Sequence, residues 1–294
     1  MKQHKDRLRA DIAVVSDTNQ FARGVPAITY GLRGLVYEEV FLTGPSHDLH
    51  SGIYGGAVPN PANVLCELLA ALHDSQGRVT IPGFYDDVTA LTTAERAQWA
   101  ALGFDEKAFA AELALPSLNG EAGFSTLERR WGRPTCDVNG LTSGYQGQGA
   151  KTIIPSKASA KVSMRLVPHQ DPLRVQSAFE KKLRDRCPAN VKMGFAHHTA
   201  AHPFLVPMDS PAMKLAADAV ERGFGAKCVF MREGGTIPVV AMLKNVLGLD
   251  TLLVGFGLGD DRIHSPNEKF DLDALHNGTR TLAILYENLA RLSG

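Results

Sequence analysis

Apolar and polar positions follow one rhythm at the two ends of the chain and another in its middle. From Pro207 onward, stretches with helical spacing alternate with short apolar runs. The spacing predicts the following elements: helix 212–223, strand 227–231, helix 237–247, strand 251–256 and helix 272–292. Such alternation is typical of a largely parallel sheet. Residues 12–15 predict one more core strand, and residues 5–9 read as the last turns of a helix.

The middle of the chain, residues 32–204, has a pattern that predicts a different fold. Alternating positions predict strands, and apolar faces at helical spacing predict helices. The predicted elements are strand 32–43, a helix opened by Pro61, strand 157–167, helix 171–186 and strand 190–196. This order fits a small antiparallel sheet with two helices on one face, a ferredoxin-like α+β arrangement. Residues 78–133, with helical stretches at 94–102 and 106–113, are predicted to be an insertion.

The predicted fold class is therefore α/β with an inserted α+β domain. Residues 1–31 and 205–294 form one mostly parallel sheet domain, and residues 32–204 are inserted into it. Because the chain opens with the tail of a helix and a core strand, we expect the sheet domain to be incomplete. A partial sheet exposes an apolar edge, so we also expect poor solubility or self-association.

Composition narrows the range of partners. The chain has 294 residues, 44% of them hydrophobic, and 31 basic residues balance 31 acidic ones. A formal charge of zero argues against a nucleic acid or an anionic membrane surface as partner, because neither would meet a basic field. No apolar run approaches the ~20 residues of a membrane span, and the first residues lack an apolar signal core. Four widely spaced cysteines favour buried free thiols in a cytoplasmic protein over a thiolate zinc site.

Two potential metal ligands follow the predicted strands at opposite ends of the chain. Asp17 comes after strand 12–15, and His264 lies in a glycine-containing loop after strand 251–256. Ligands in open α/β sheets bind at the carboxyl ends of strands. Taken alone, each residue is more often a turn or surface residue than a ligand. Together they supply about half of a divalent-metal site, since a catalytic zinc takes about three protein ligands.

Two other segments carry groups that can bind an anion. In Arg-Glu-Gly-Gly-Thr-Ile-Pro, residues 232–238, Thr236 is predicted to cap a helix that has Pro238 in its first turn. The start of that helix would favour a substrate carboxylate, although a purely structural helix explains the segment equally well. Arg165 lies in an apolar strand and needs a carboxylate partner, for which an internal salt bridge is the commoner explanation.

The segment 144–152 nearly matches a phosphate-binding loop. Its sequence, Gly-Tyr-Gln-Gly-Gln-Gly-Ala-Lys-Thr, has Ala150 where the motif would have Lys, and the following Ile153 and Ile154 predict extended chain instead of a helix. A phosphate loop must open a helix, so nucleotide binding is rejected. A mobile loop over a substrate pocket and a plain turn both remain possible. His50, judged by composition alone, is a surface histidine.

Four segments, taken in order, resemble the carnosinase-like dipeptidases. They are Gly-Pro-x-x-Asp-Leu-His-Ser-Gly-x-Tyr-Gly-Gly-Ala-Val-Pro-Asn-Pro-Ala at 44–62, Gly-Ala-Lys-Thr-Ile-Ile-Pro at 149–155, Arg-Glu-Gly-Gly-Thr-Ile-Pro at 232–238 and Ile-His-Ser-Pro-Asn-Glu at 263–268. This family, which includes cytosolic non-specific dipeptidases, comprises di-metal hydrolases related to aminoacylase and succinyl-diaminopimelate desuccinylase. The resemblance covers essentially the whole chain.

The resemblance implies a role for each matching residue. Asp17 and His264 would each bind one of two divalent metals, zinc or manganese. His50 would reach across a homodimer to stabilise the oxyanion in the other subunit. The residues implied to contact the dipeptide substrate are Thr152, Arg165, His202 and Thr236, with Arg165 as the carboxylate clamp. Residues 32–204 would form the lid and dimerisation domain.

The chain also departs from the family pattern. The family has an upstream His-x-Asp motif, a bridging Asp and a Glu-Glu pair that supplies the general base, and none of these precedes Asp17 here. The resemblance therefore implies the C-terminal portion of a dipeptidase that requires a missing N-terminal half and is inactive alone. Two alternatives stay open, which are a non-catalytic dimerisation module and an amidohydrolase of N-acyl amino acids.

Overall fold

The chain folds into two compact units, which are described separately. The computed structural model describes residues 1–292. The first unit contains residues 1–33 together with the chain from Pro203 onward, and the second contains residues 34–202. Within residues 1–292, every helix is too short or too polar to cross a bilayer.

The first unit is built on a five-stranded sheet with helices. Its elements are β1 (Ala13–Val15), β2 (Ala27–Leu32), β9 (Phe204–Leu205), α7 (Pro211–Phe224), β10 (Val229–Glu233), α8 (Pro238–Met242), β11 (Thr251–Leu253) and α9 (Leu272–Ala290). The strand order is β1-β11-β2-β10, and β9 also pairs with β2. The two longer ladders, β1 with β11 and β2 with β10, are parallel, and two short ones are antiparallel. The predicted α/β class with a mostly parallel sheet is confirmed.

The strand β1 differs from the buried core strand predicted for 12–15. Within residues 1–292 it pairs with β11 alone, and its three residues are half-buried. A groove of about 750 Å³ lies beside it, lined among others by Val14, Leu252 and Tyr286. The sheet thus ends at β1 in an edge with a largely apolar groove beside it.

The longest fully buried strand of this unit has no counterpart among the predicted elements. All six residues of β2 are buried, and β2 lies between β10 and β11. The sequence analysis instead began a single strand at Leu32. The structure has two strands there instead. The strand β2 ends at Leu32 in the first unit, and the next strand begins at Gly34 in the second unit.

The second unit is an antiparallel sheet with two helices on one face. Its main elements are β3 (Gly34–Thr43), β4 (Leu49–His50), α1 (Ser51–Tyr54), α2 (Pro61–Ala70), β5 (Thr135–Ser143), β6 (Ile153–Ile154), β7 (Lys157–Leu166), α6 (Pro172–Arg186) and β8 (Lys192–Ala201). The sheet order is β5-β7-β3-β8. Alternate residues of β3 and β7 pack into one core with the apolar faces of α2 and α6. The predicted α+β arrangement is confirmed.

The segment predicted to be an insertion forms a small helical layer. It contains α3 (Thr93–Ala100), α4 (Glu106–Glu112) and α5 (Thr126–Trp131). Trp99 and Trp131 pack edge to face with their ring centroids 5.4 Å apart. Beside them, the buried carboxylate of Glu121 accepts hydrogen bonds from Arg133 Nε at 2.7 Å and Nη2 at 2.8 Å. A bidentate pair of this kind satisfies both buried charges.

We predict that any side chain at Gly255 destabilises the first unit, because the segments that follow β1 and β11 approach each other closely there. A Cβ at Gly255 would overlap the backbone carbonyl of Thr18, whereas a Cβ at Gly259 would meet nothing within 4 Å. Gly255→Ala should therefore cost about 1–3 kcal/mol of stability, and Gly259→Ala should cost much less. Urea unfolding followed by far-UV circular dichroism measures the difference.

Tryptophan fluorescence supplies an internal control for this prediction. Trp99 and Trp131 are the two tryptophans of the chain and both lie in the second unit. Their transition should shift less than the circular dichroism signal. Equal stability of the two alanine variants would contradict the proposed packing.

Candidate active-site residues

Asp17 lies where the chain leaves β1 beside the segment that follows β11. The parallel ladder pairs Val15 with Leu253. It is extended by backbone hydrogen bonds from Val254 N to Val15 O, at 3.1 Å, and from Gly257 N to Thr18 O, at 3.2 Å. Asp17 therefore lies in a polar loop whose neighbours are fixed by the β11 side, and its own side chain is exposed.

His264 lies in the loop that continues from the same end of β11. It is exposed and has a backbone φ of 63°, a left-handed conformation that is uncommon for a residue other than glycine. The loop is closed by a backbone hydrogen bond from Lys269 N to Asp261 O, at 3.0 Å. Asp261 is buried and accepts from Leu258 N at 2.7 Å and from Lys269 Nζ at 2.8 Å. The hydrogen bond to Asp261 raises the pKa of Lys269 above its usual range.

Asp17 and His264 have the donor atoms of a divalent-metal site, but two ligands are fewer than a catalytic metal site needs. A carboxylate oxygen and an imidazole nitrogen suit zinc or manganese. Within residues 1–292, neither Asp17 nor His264 belongs to a group of three His, Cys, Asp or Glu residues with ligand atoms close enough to share one ion. The donor set therefore fits part of a metal site.

Thr236 has a different local role from the one predicted. The helix α8 begins at Pro238 with Ile237 as its N-cap, and no side chain caps it. The Thr236 hydroxyl instead donates to the carbonyl of Arg33 at 2.7 Å, and Arg33 Nε donates to the carbonyl of Gly234 at 3.1 Å. The predicted cap is wrong because α8 begins one residue later than predicted, which puts Ile237 in the N-cap position. The bonds hold the Gly-Gly-Thr segment against the end of β2.

A hydrogen bond also ties this segment to the loop after β1. Asn19 Nδ2 donates to Glu233 Oε1 at 2.8 Å, over a sequence separation of 214 residues. Since Glu233 ends β10 and Asn19 follows Asp17 by two positions, the bond joins two of the predicted site segments. Neither residue stands out in the sequence, because each has the pattern of an ordinary polar residue near a strand end. Their contact is evident only once the strands are paired.

In the second unit, His50 and Thr152 are brought together by a short ribbon. The strands β4 and β6 pair His50 with Ile153, and Ser51 N donates to the carbonyl of Thr152 at 2.9 Å. Asp48 holds the ribbon from the side, because its Oδ1 accepts from the backbone N–H of Ser156 at 2.8 Å and from the Ser156 hydroxyl at 3.0 Å. These bonds, the backbone one first, lower the pKa of Asp48.

The ring of His50 is oriented by its own turn. Nδ1 accepts a hydrogen bond from the backbone N–H of Gly52 at 3.0 Å. In the neutral imidazole, the proton then resides on Nε2. The exposed edge of His50 is therefore a hydrogen-bond donor, which is the property that oxyanion stabilisation requires.

Arg165 and His202 lie on the sheet side of the second unit. In β7 the residues Ala160, Val162, Met164 and Leu166 face the core, so Arg165 points to the opposite face of the sheet, which it shares with Lys161 and Ser163. The strand alternates, and only its core-facing half is apolar. His202 is exposed and directly follows β8.

The cysteines differ from one another more than the sequence analysis expected. Cys136 and Cys228 are buried, and burial raises the pKa of each thiol to about 12. Cys187 is half-buried and Cys66 is exposed, so the prediction of buried thiols holds for two of the four. The two buried thiols stay protonated at neutral pH and are poor nucleophiles.

Comparison with known sequences gives relatives along nearly the whole chain. The Cys-Gly metallodipeptidase dug1 of Schizosaccharomyces pombe is 32% identical over 293 residues, which cover 97% of this chain and 60% of that protein. The human Beta-Ala-His dipeptidase is 30% identical over 297 residues, which cover 99% of this chain and 59% of that protein. The chain thus spans about three-fifths of the length of these relatives.

Comparison with solved structures gives the same family. The dipeptidase Dug1p of Saccharomyces cerevisiae matches with a TM-score of 0.86 and 30% identity, over 98% of this chain and 61% of that one. Human carnosine dipeptidase 1 matches with a TM-score of 0.83 and 30% identity, over 99% and 62%. Residues 30–191 match the model of the peptidase dimerisation domain. The chain belongs to the M20 peptidase dimerisation domain family.

Proposed function

We propose that the chain is part of a divalent-metal dipeptidase that hydrolyses the peptide bond of dipeptides. The observation that carries the proposal is the parallel pairing of β1 with β11, which delivers a carboxylate and an imidazole from opposite ends of the chain to loops at the same end of two neighbouring strands. The names of relatives matched along 97% and 99% of the chain support dipeptides as the substrate class.

In this proposal Asp17 and His264 hold metal, either zinc or manganese. A bound divalent ion would polarise the scissile carbonyl and lower the pKa of water. The rigid closure of the His264 loop by Asp261 and Lys269 supports a ligand role, because a ligand must be held in place. The chain's own contribution is this preorganisation.

The second unit supplies substrate contacts and a dimer surface. Thr152 and His202 are exposed polar residues, and Arg165 offers a guanidinium that can clamp a carboxylate. In the first unit, Thr236 is the fourth residue proposed to contact the substrate, and a hydrogen bond to the carbonyl of Arg33 positions its hydroxyl. The second unit also exposes Phe41, Val138 and Leu141 from its sheet, and apolar surface of this kind favours a homodimer.

We further propose that these residues hydrolyse dipeptides in the cytoplasm only after more ligands and a general base are supplied. A catalytic zinc takes about three protein ligands. Asp17 and His264 are two donors, and within residues 1–292 no third potential ligand groups with them. In the proposal, the additional carboxylates come from the upstream motifs that the family resemblance implies.

Two other functions make different predictions for the same protein. A non-catalytic dimerisation module would stay inactive whatever segment is added. An amidohydrolase of N-acyl amino acids would prefer an acylated substrate to a dipeptide with a free amino group. The His50–Thr152 ribbon, with its Nε2 donor, favours a catalytic role over a purely structural module.

The first test is complementation. The isolated chain with zinc or manganese should not hydrolyse Cys-Gly or β-Ala-His, and addition of the upstream segment of a relative should produce hydrolysis. His264→Ala should lower the rate of hydrolysis by at least about 100-fold, because a metal ligand is lost. The control variant His276→Ala changes another exposed histidine and should leave the rate unchanged. Released amino acid measures the rate. Turnover by the isolated chain, or faster turnover of N-acetyl amino acids than of dipeptides, would contradict the proposal.

The second test concerns His50. In the complemented enzyme, His50→Ala should lower kcat by about 100-fold to 1,000-fold with little change in KM, as for loss of one oxyanion donor. His47→Ala, a nearby exposed histidine, should leave kcat unchanged.

Subunit mixing then tests whether His50 acts across the dimer. Random mixing of inactive His50→Ala subunits with inactive Asp17→Ala subunits should restore about a quarter of the activity, because half of the dimers would carry one intact site. Failure of the mixture to regain activity would place His50 in its own subunit's site or outside the reaction.

A further inference from the structure

The second unit contains a carboxylate in an unusual place. Glu38 lies on the helix-covered face of β3 between the core residues Val36 and Val40, and its side chain has 0% exposure. A buried charge is unfavourable unless it is paired, hydrogen-bonded or bound to a metal. The side chains that contact Glu38 therefore indicate which of these compensates its buried carboxylate.

Three side chains meet at Glu38. His197 Nδ1 lies 2.7 Å from Glu38 Oε2, and His197 Nε2 lies 3.7 Å from Glu180 Oε1. The amide of Gln176 contacts both Glu38 and His197. Glu38, Glu180 and His197 come from β3, α6 and β8, and each offers one ligand atom within 4.8 Å of the other two.

A bulge in β8 aims His197 at this point. Tyr37 pairs with Thr199 and Glu38 pairs with His197, which leaves His198 as the extra residue. His198 turns to the opposite face of the sheet, where its Nε2 lies 3.4 Å from Glu39 and its ring packs 5.2 Å from Tyr37. Bulges of this kind re-aim side chains and are frequent beside functional sites.

We propose that Glu38, Glu180 and His197 form a binding site for a divalent transition metal, for which zinc is the natural probe. Two carboxylates and an imidazole are a recognised donor set for zinc. Tetrahedral ligands at about 2.0–2.2 Å from the ion lie roughly 3.4 Å from one another. The three ligand atoms lie within 4.8 Å of one another, so a pair at that limit has to shorten by about 1.4 Å, and the 2.7 Å pair of His197 Nδ1 and Glu38 Oε2 has to lengthen by about 0.7 Å.

The local freedom of the side chains allows that shortening. Glu180 is 23% exposed and extends from a helix, so its carboxylate can rotate toward His197. His197 is 57% exposed, which leaves the fourth position open to water. Gln176 contacts Glu38 from α6 and orients the buried carboxylate, as outer partners of metal ligands do.

A bound ion would add metal–ligand bonds to the packing, the sheet ladder and the polar contacts that already join these three elements. It would fasten the edge strand β8 and the helix α6 to β3, and the site would thereby stabilise the second unit. None of its residues is among those proposed for peptide hydrolysis, so the inference stands independently of that function. The competing explanation is a proton-only ion pair between His197 and Glu38.

The test is zinc titration of the full chain in a background that lacks other candidate ligands. The background carries Asp17→Ala, His264→Ala and Cys66→Ser, the last because Cys66 is an exposed thiol. Isothermal titration should give one equivalent of zinc, and Co²⁺ should give the visible absorption of a tetrahedral site. Adding His197→Ala or Glu180→Gln should weaken binding by at least about 10-fold.

The matched control is His198→Ala, which removes the neighbouring histidine from the other face and should leave zinc affinity unchanged. Zinc should also raise the melting temperature of the background protein, followed by tryptophan fluorescence, and should not raise that of the His197→Ala variant. Circular dichroism verifies that each variant is folded, and two independent ligand variants guard against misfolding of one. Absence of stoichiometric zinc in the background protein, or an affinity that neither His197→Ala nor Glu180→Gln lowers relative to that background, would overturn the metal site and leave the ion pair.

Discussion

The parallel register of β1 and β11 is the constraint on which the candidate site depends. Only a few residues make the contact, yet they join segments about 240 positions apart. The register sets Asn19 beside Gly257, and the missing side chain at Gly255 lets the Thr18 carbonyl approach. Because a slip by one residue would reverse which side chains face each way, the directions of the Asp17 and His264 loops follow from this pairing.

In the second unit, a packed core positions the polar side chains on its surface. The two central strands of its sheet, β3 and β7, alternate, with one face buried under α2 and α6 and the other carrying polar groups such as Arg165 and Lys161. The functional candidates lie outside the packed core, on the open face, on the β4–β6 ribbon or after the last strand. A rigid core with exposed polar attachments is the arrangement that lets side chains be positioned by the scaffold without destabilising it.

Local patterns predicted most of the elements, and long-range pairing explains most of what they missed. Alternation and helical spacing identified α2, β7 and α6 because each element's own residues determine its buried face. The strand β2 was missed because it is buried on both sides and shows no alternation.

The site shows the same division between local and long-range signals. His50 and Thr152 are adjacent only because β4 pairs with β6, which lies far away in the sequence. The Thr236 cap is wrong because α8 begins at Pro238 with Ile237 as its N-cap, and the Thr236 hydroxyl donates to Arg33, 203 positions away. The Asn19–Glu233 bond and the Asp261–Lys269 closure have no local signal at all, since neither pair stands out before the chain is folded.

The burial of Glu38 also depends on partners that are distant in the sequence. In the sequence it is one of two adjacent acidic residues in an alternating strand, and alternation alone would place one on each face. That placement puts a carboxylate into a core of valines, where it needs a compensating charge or ligand. The compensation comes from β8 through a bulge and from α6 through Gln176 and Glu180, so three elements have to agree before the burial is tolerable. A position that violates the core pattern and is supported by side chains from two other elements is where a function separate from packing is expected.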